Sequence, residues 1–107
     1  VKIVMSIAIV TLGISETVIH TGAVKDDAVL SITFCNITNA EVTFTLHGYA
    51  AASGPAGDSN RMMLKTLEPY ASYVWQSTEK FLIDLNDVIS AIASAANSIV
   101  ATKVFVR

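Results

Sequence analysis

The sharpest alternation of apolar and polar side chains lies in residues 28–48, AVLSITFCNITNAEVTFTLHG. Leu30, Ile32 and Phe34 fall on one face of an extended run, with Ser31 and Thr33 on the other. Val42, Phe44 and Leu46 repeat the pattern against Glu41, Thr43, Thr45 and His47. Period-two patterning with β-branched and aromatic residues marks half-buried strands. Asn36-Ile37-Thr38-Asn39 carries turn chemistry between them, so the pair is expected to form an antiparallel hairpin with one buried face.

The rest of the chain keeps this rhythm. Residues 1–12, VKIVMSIAIVTL, predict an N-terminal strand in which Ile3, Met5, Ile7 and Ile9 alternate with Lys2, Ser6 and Ala8. Gly13 and Ser15 end it, residues 17–21 form a second strand, and Lys25-Asp26-Asp27 reads as a charged turn. Residues 50–60, AAASGPAGDSN, hold Gly54, Pro55, Gly57, Asp58 and Asn60 and read as a flexible loop. Residues 62–67 and 72–76 predict two strands around the turn Glu68-Pro69-Tyr70, followed by strands at 81–83, 88–94 and 98–106. Leu85, Val88, Ile92, Ala95 and Ile99 also fall at helical spacing, so 84–96 could be an amphipathic helix capped by Asp84. Periodicity leaves both readings open, and the all-β surroundings favour a strand. Turn signals spaced about every 8–12 residues predict an antiparallel β-sandwich or jelly roll of about eight short strands.

Composition narrows what such a domain can do. The 107 residues fit a single β-sandwich domain over 1–107 with one modest core. An apolar fraction of 52% and a mean hydropathy of +0.55 exceed what one small core hides, which points to association with other chains. The N-terminal strand is a candidate for such contacts. Net charge is −2 with no basic cluster, so nucleic acid is not an expected partner. The N-terminal apolar run is too short to cross a membrane and no small-x-small cleavage site follows it. A starting Val fits removal of an initiator Met, and hence synthesis in the cytoplasm without processing. Cys35 is the only cysteine, which rules out an internal disulfide and reads as a structural thiol.

Candidate chemistry is sparse. His20 and His47 sit alone on strands, where surface or capping roles are expected. Asp26-Asp27 and Asp84-Asn86-Asp87 lack the glycine and distal glutamate of a calcium loop and read as solvated turns. There is no Gly-x-Ser-x-Gly elbow, and Ser53-Gly54-Pro55-Ala56-Gly57 is not followed by the Gly-Lys-Ser/Thr of a phosphate loop. No catalytic, metal or cofactor set emerges, and the expectation is a protein that is not an enzyme. Asn36-Ile37-Thr38 matches a glycosylation acceptor but reads as the turn. Tyr70, Tyr73 and Trp75 cluster closely, and Tyr73 and Trp75 share one strand face. They could be core, a protein interface, or a sugar-stacking platform. With Ser53, Asp58 and Asn60 of the loop they form the candidate interface set.

Three ordered segments carry a resemblance. VLSITFCNIT with Cys35-Asn36, ASGPAGDSN from Ser53 to Asn60, and LNDVISAIASAANSIVATKVFV with Asn86-Asp87-Val88-Ile89-Ser90-Ala91 resemble a family of small bacteriophage virion proteins. The chain departs from that pattern at Ile19-His20-Thr21-Gly22-Ala23, at Asn86 in place of a glycine, and at Lys103-Val104-Phe105. Asn86 still tolerates the left-handed turn that glycine would make. The resemblance implies a structural virion component, most simply a capsid decoration or cement protein. Such a protein self-associates, with a trimer the expected ring, and docks on major capsid or tail proteins. A tail or fibre module recognising a host glycan or receptor is the alternative.

Overall fold

The alternating segments form eight strands in a computed structural model that describes residues 5–23 and 27–106. Residues 1–4 and 24–26, including Lys2, Ile3, Lys25 and Asp26 of the expected strand and turn, lie outside the described residues, as do the side chains at 5 and 77–83. The strands are β1 (Met5–Thr11), β2 (Thr17–Thr21), β3 (Asp27–Asn36), β4 (Val42–Tyr49), β5 (Arg61–Leu67), β6 (Ser72–Ile83), β7 (Val88–Ala93) and β8 (Ile99–Val106). They make two four-stranded antiparallel sheets, ordered β1-β8-β3-β6 and β2-β7-β4-β5. Pairing β1 with β8, β2 with β7, β3 with β6 and β4 with β5 makes the chain one long ribbon, doubled back between β4 and β5 and then rolled. The β3–β8 and β4–β7 ladders close each sheet. This is the jelly-roll order, and the sandwich expected from the sequence is present.

The expected hairpin of residues 28–48 is not. β3 pairs with β6 and β8, whereas β4 pairs with β5 and β7, so the two runs lie in opposite sheets. Their buried faces meet across the core, where the rings of Phe34 and Phe44 stack with centroids 4.3 Å apart. Period-two patterning requires only that each strand bury one face; a facing sheet satisfies it as well as a neighbouring strand. The crossing is anchored by Asn36, which is fully buried at the end of β3. Its Nδ2 donates to the carbonyls of Ala40 (2.7 Å), Glu68 (3.1 Å) and Leu67 (3.3 Å). Its Oδ1 accepts from the Thr38 amide (3.0 Å) and hydroxyl (2.7 Å). The side chain thereby fastens the 37–41 crossing to the turn after β5, and its buried amide is no glycan acceptor.

Other departures have local causes. A bulge between Val29 and Ser31 turns Val29, rather than Leu30, into the core. Residues 72–76 and 81–83 belong to one strand, β6, whose register with β3 is interrupted between Gln76 and Phe81. Residues 88–93 are a strand, and Ala91 and Ala93, both buried, let β7 pack closely under the facing sheet. Asn86 adopts φ 67° in the preceding turn, the left-handed conformation its side chain tolerates.

Both histidines are buried, contrary to a surface reading. His20 Nε2 lies 3.1 Å from Asp27 Oδ1, and its Nδ1 lies 2.8 Å from Lys103 Nζ. Asp27 also accepts from the Ala23 amide at 3.2 Å; it opens β3 fully buried instead of sitting in a solvated turn. The imidazole sits between the Asp27 carboxylate, at ion-pair distance, and the Lys103 ammonium, at hydrogen-bond distance. Lys103 Nζ also lies 4.7 Å from the Phe105 ring centroid. A charged row thus bridges the sheets at one end of the sandwich, where loss of either partner would strand a buried charge.

Candidate interaction surface

The two sheets turn different outer faces to solvent. On the β2-β7-β4-β5 sheet, residues 50–60 fold back over the outside. Glu16, just before β2, is the anchor: its carboxylate accepts from Ser90 Oγ (2.6 Å), from the Tyr49 hydroxyl and from the Ala56 amide (3.2 Å). Burial alone would push the Glu16 carboxyl up. The hydrogen bonds from Ser90, Tyr49 and Ala56, with nearby His47, outweigh that and hold it below its ordinary 4.5. The same contact, with burial and the Glu16 charge, pushes the Tyr49 hydroxyl above its ordinary 10.0. His47 Nδ1 meets Asn60 Oδ1 at 3.0 Å and its Nε2 meets Thr45 Oγ1 at 3.0 Å. Asn60 in turn accepts from the Gly57 amide and donates to the Pro55 carbonyl. A segment expected to be a flexible loop is therefore pinned in its middle, at Ala56, by Glu16 and at its C-terminal end, at Asn60, by His47 of β4. Ser90 is fully buried with its hydroxyl on a carboxylate rather than on an imidazole, which is not the geometry of an activated nucleophile.

The β1-β8-β3-β6 sheet has no such cover from this loop, and its chemistry is different. Strand pairing aligns three complete outward rows: Ile7-Val104-Ser31-Gln76, Ile9-Thr102-Thr33-Val74 and Thr11-Val100-Cys35-Ser72. None of these twelve positions carries a charge. Ile7 and Ile9 are 70% and 69% exposed and Val74 is 49% exposed. Solvated sheet faces alternate polar against the buried side; a β-branched face without charge is the composition of a packed one. The isoleucine stripe of the N-terminal strand thus points outward, while Ala8 and Val10 pack toward the core. Cys35, half-buried in the third row, is part of the same surface.

The remaining candidate residues do not converge. Tyr73 and Trp75 share a face as expected. It is the inward face of β6, where both are half-buried against the core and Lys65 Nζ sits 4.8 Å from the Tyr73 ring centroid. Tyr70 is exposed at φ 57° in the turn before β6, its amide donating to Thr38. Ser53 and Asp58 are exposed in the loop over the other sheet, with Asp58 only 3.9 Å from Arg61 across an open surface. Glu16, Ser90 and Lys103 were not legible as site residues: their partners lie 33 to 83 positions away, and no local spacing announces them. Among the described residues no three His, Cys, Asp or Glu side chains converge as metal ligands, and no helix is long and apolar enough to cross a membrane. Comparison of the chain with protein-family models, with characterised proteins and with solved structures finds no match. The likeness to phage virion proteins therefore rests on its three motifs alone.

Proposed function

We propose that this chain is a non-enzymatic structural protein of a bacteriophage particle, a capsid decoration or cement protein that associates through the outer face of its β1-β8-β3-β6 sheet. The observation that carries the reading is that uncharged face: three aligned rows of Ile, Val, Thr, Ser, Cys and Gln with strongly exposed isoleucines at one edge. Apolar surface of this kind on so small a protein is covered by another chain in its working state. Jelly rolls also serve lectins and cupins, so the fold by itself does not select the function. The three-motif resemblance supports the particle, and the engagement of Ser90, Glu16 and His47 in holding a loop supports the absence of catalysis. A glycan module built from Tyr73, Trp75 and the loop is disfavoured. The aromatic pair faces inward on one sheet, and the loop covers the outside of the other.

Two measurements test this. Purified protein should sediment as an oligomer at micromolar concentration, and Thr102→Lys in the middle of the face should lower its sedimenting mass without loss of β circular dichroism. Phage particles assembled from the genome that encodes the chain should contain it in many copies by quantitative mass spectrometry. A wild-type monomer, or particles lacking the chain, overturns the reading.

A further inference from the structure

The four sheet edges differ in how they are defended against pairing with another chain. β2 is only five residues long and is bulged between Val18 and His20. β5 carries Arg61 and Lys65, and its ladder shifts at Leu46/His47. β6 holds Glu79 and Lys80 in sequence and loses register with β3 between Gln76 and Phe81. Short length, charge and bulges are the devices that keep edges from adding strands. β1 has none of them. Met5–Thr11, MSIAIVT, has no charge and no proline, and pairs with β8 through seven consecutive positions without a shift. Among the described residues no strand pairs with its outer edge, which offers the regular backbone groups onto which a further strand adds.

From this we infer that β1 is the contact between two copies of this chain, which join edge to edge across a two-fold axis at Ala8 into one continuous eight-stranded sheet. The inference rests on the proposed use of the β1-β8-β3-β6 face and names the geometry of self-association within it. The occupant follows from the sequence of the strand. Antiparallel pairing about Ala8 sets Ile7 against the partner's Ile9, Ala8 against Ala8 and Ser6 against Val10. Each pair joins positions an even number apart or identical, so inward residues meet inward residues and outward meet outward. The four isoleucines form one apolar block on the outer face, the two alanines meet over the core side, and no charge is buried. Whichever alternate set of backbone groups points to the edge finds its equal on the partner, because the two-fold maps that set onto itself. The uncharged surface then runs unbroken across both copies. A two-fold pair takes the place of the trimer expected from the sequence, since an edge used isologously is consumed by one partner.

The test is position-specific disulfide formation in a Cys35→Ser background. Directly opposed residues have Cβ atoms about 5 Å apart, whereas diagonal ones lie about 7–8 Å apart and do not bridge. Mild oxidation should convert most of the Ile7→Cys/Ile9→Cys protein into a covalent dimer, while Ile7→Cys and Ile9→Cys alone stay at background. Both positions are exposed, so folding is checked simply by circular dichroism. As an independent readout, residue-resolved hydrogen exchange should show alternate amides of 5–11 protected at high protein concentration and losing that protection on dilution. Equal cross-linking of the single variants means the copies stack face to face and overturns the edge pairing. So does an oligomer that Thr102→Lys dissolves but in which no variant cross-links; both results leave the proposed function standing. A protein that is monomeric throughout overturns both.

Discussion

The outer faces of the two sheets are built from opposite materials. One holds Glu16, His47, Ser90, Tyr49 and Arg61 and wears the 50–60 loop as a lid; the other is twelve uncharged positions without that cover. Both sheets share the same core, so packing does not explain the contrast. The loop-covered sheet completes itself with its own chain. On the proposed reading, the bare sheet is completed by another. A small jelly roll can thus divide its labour, spending polar side chains on internal closure and keeping a low-charge face for assembly.

Substitutions can be ranked by how they separate these roles. Phe44→Ala removes a ring stacked on Phe34 between the sheets, and should cost about 3–5 kcal/mol whichever face is watched. Thermal or urea unfolding followed from both sheets should shift together; separate transitions would break the shared-core comparison. Glu16→Ala deletes the acceptor of three donors on the covered face. It should cost about 1–3 kcal/mol and expose residues 50–60 to proteolysis, with the oligomeric state unchanged. Acid should imitate it. The Glu16 carboxyl titrates lower folded than unfolded, so its contribution is present above about pH 4.5 and is lost as pH falls through the folded value. Protease sensitivity of the loop, measured against pH in wild type and Glu16→Gln, should rise in that window only in wild type. Tyr49→Phe should cost about 0.5–1.5 kcal/mol by removing one of the three donors. Thr102→Lys should have the smallest effect on the isolated fold, under about 1 kcal/mol, and the largest on sedimentation.

The alternation of apolar residues made the strands legible and even the side facing the core, as Phe34, Phe44, Val42 and Leu46 show. It could not say which strands are neighbours. Residues 28–48 are the instructive case, because the same pattern serves a hairpin and a crossing between sheets, and only Asn36, a buried side chain reaching from β3 to the β5–β6 turn, distinguishes them. The alternation in the N-terminal strand does not say which of its faces meets the core; β1 is an edge strand whose outward row is also apolar. The polar clusters were hidden by distance: Ser90 and Glu16, or Lys103 and His20, become neighbours only once the ribbon is rolled. The turn at Asn86 was readable because left-handed backbone is a local property.

The ribbon order also sets the sequence in which the molecule can assemble itself. β4 and β5 are separated by one loop, β3 and β6 by a longer path, and β1 and β8 by nearly the whole chain: Val42 meets Leu67, while Met5 meets Val106. Closing each successive pair costs more chain entropy, and contacts distant in sequence form slowly. The ladder is therefore expected to zip outward from the β4–β5 end, with β1 the last strand to dock. For the interval before it settles, the chain is a seven-stranded body with a tethered strand whose partner can be supplied in cis or by a neighbour, so the speed of the final closure governs whether copies of this protein meet as finished subunits or as exchanging ones.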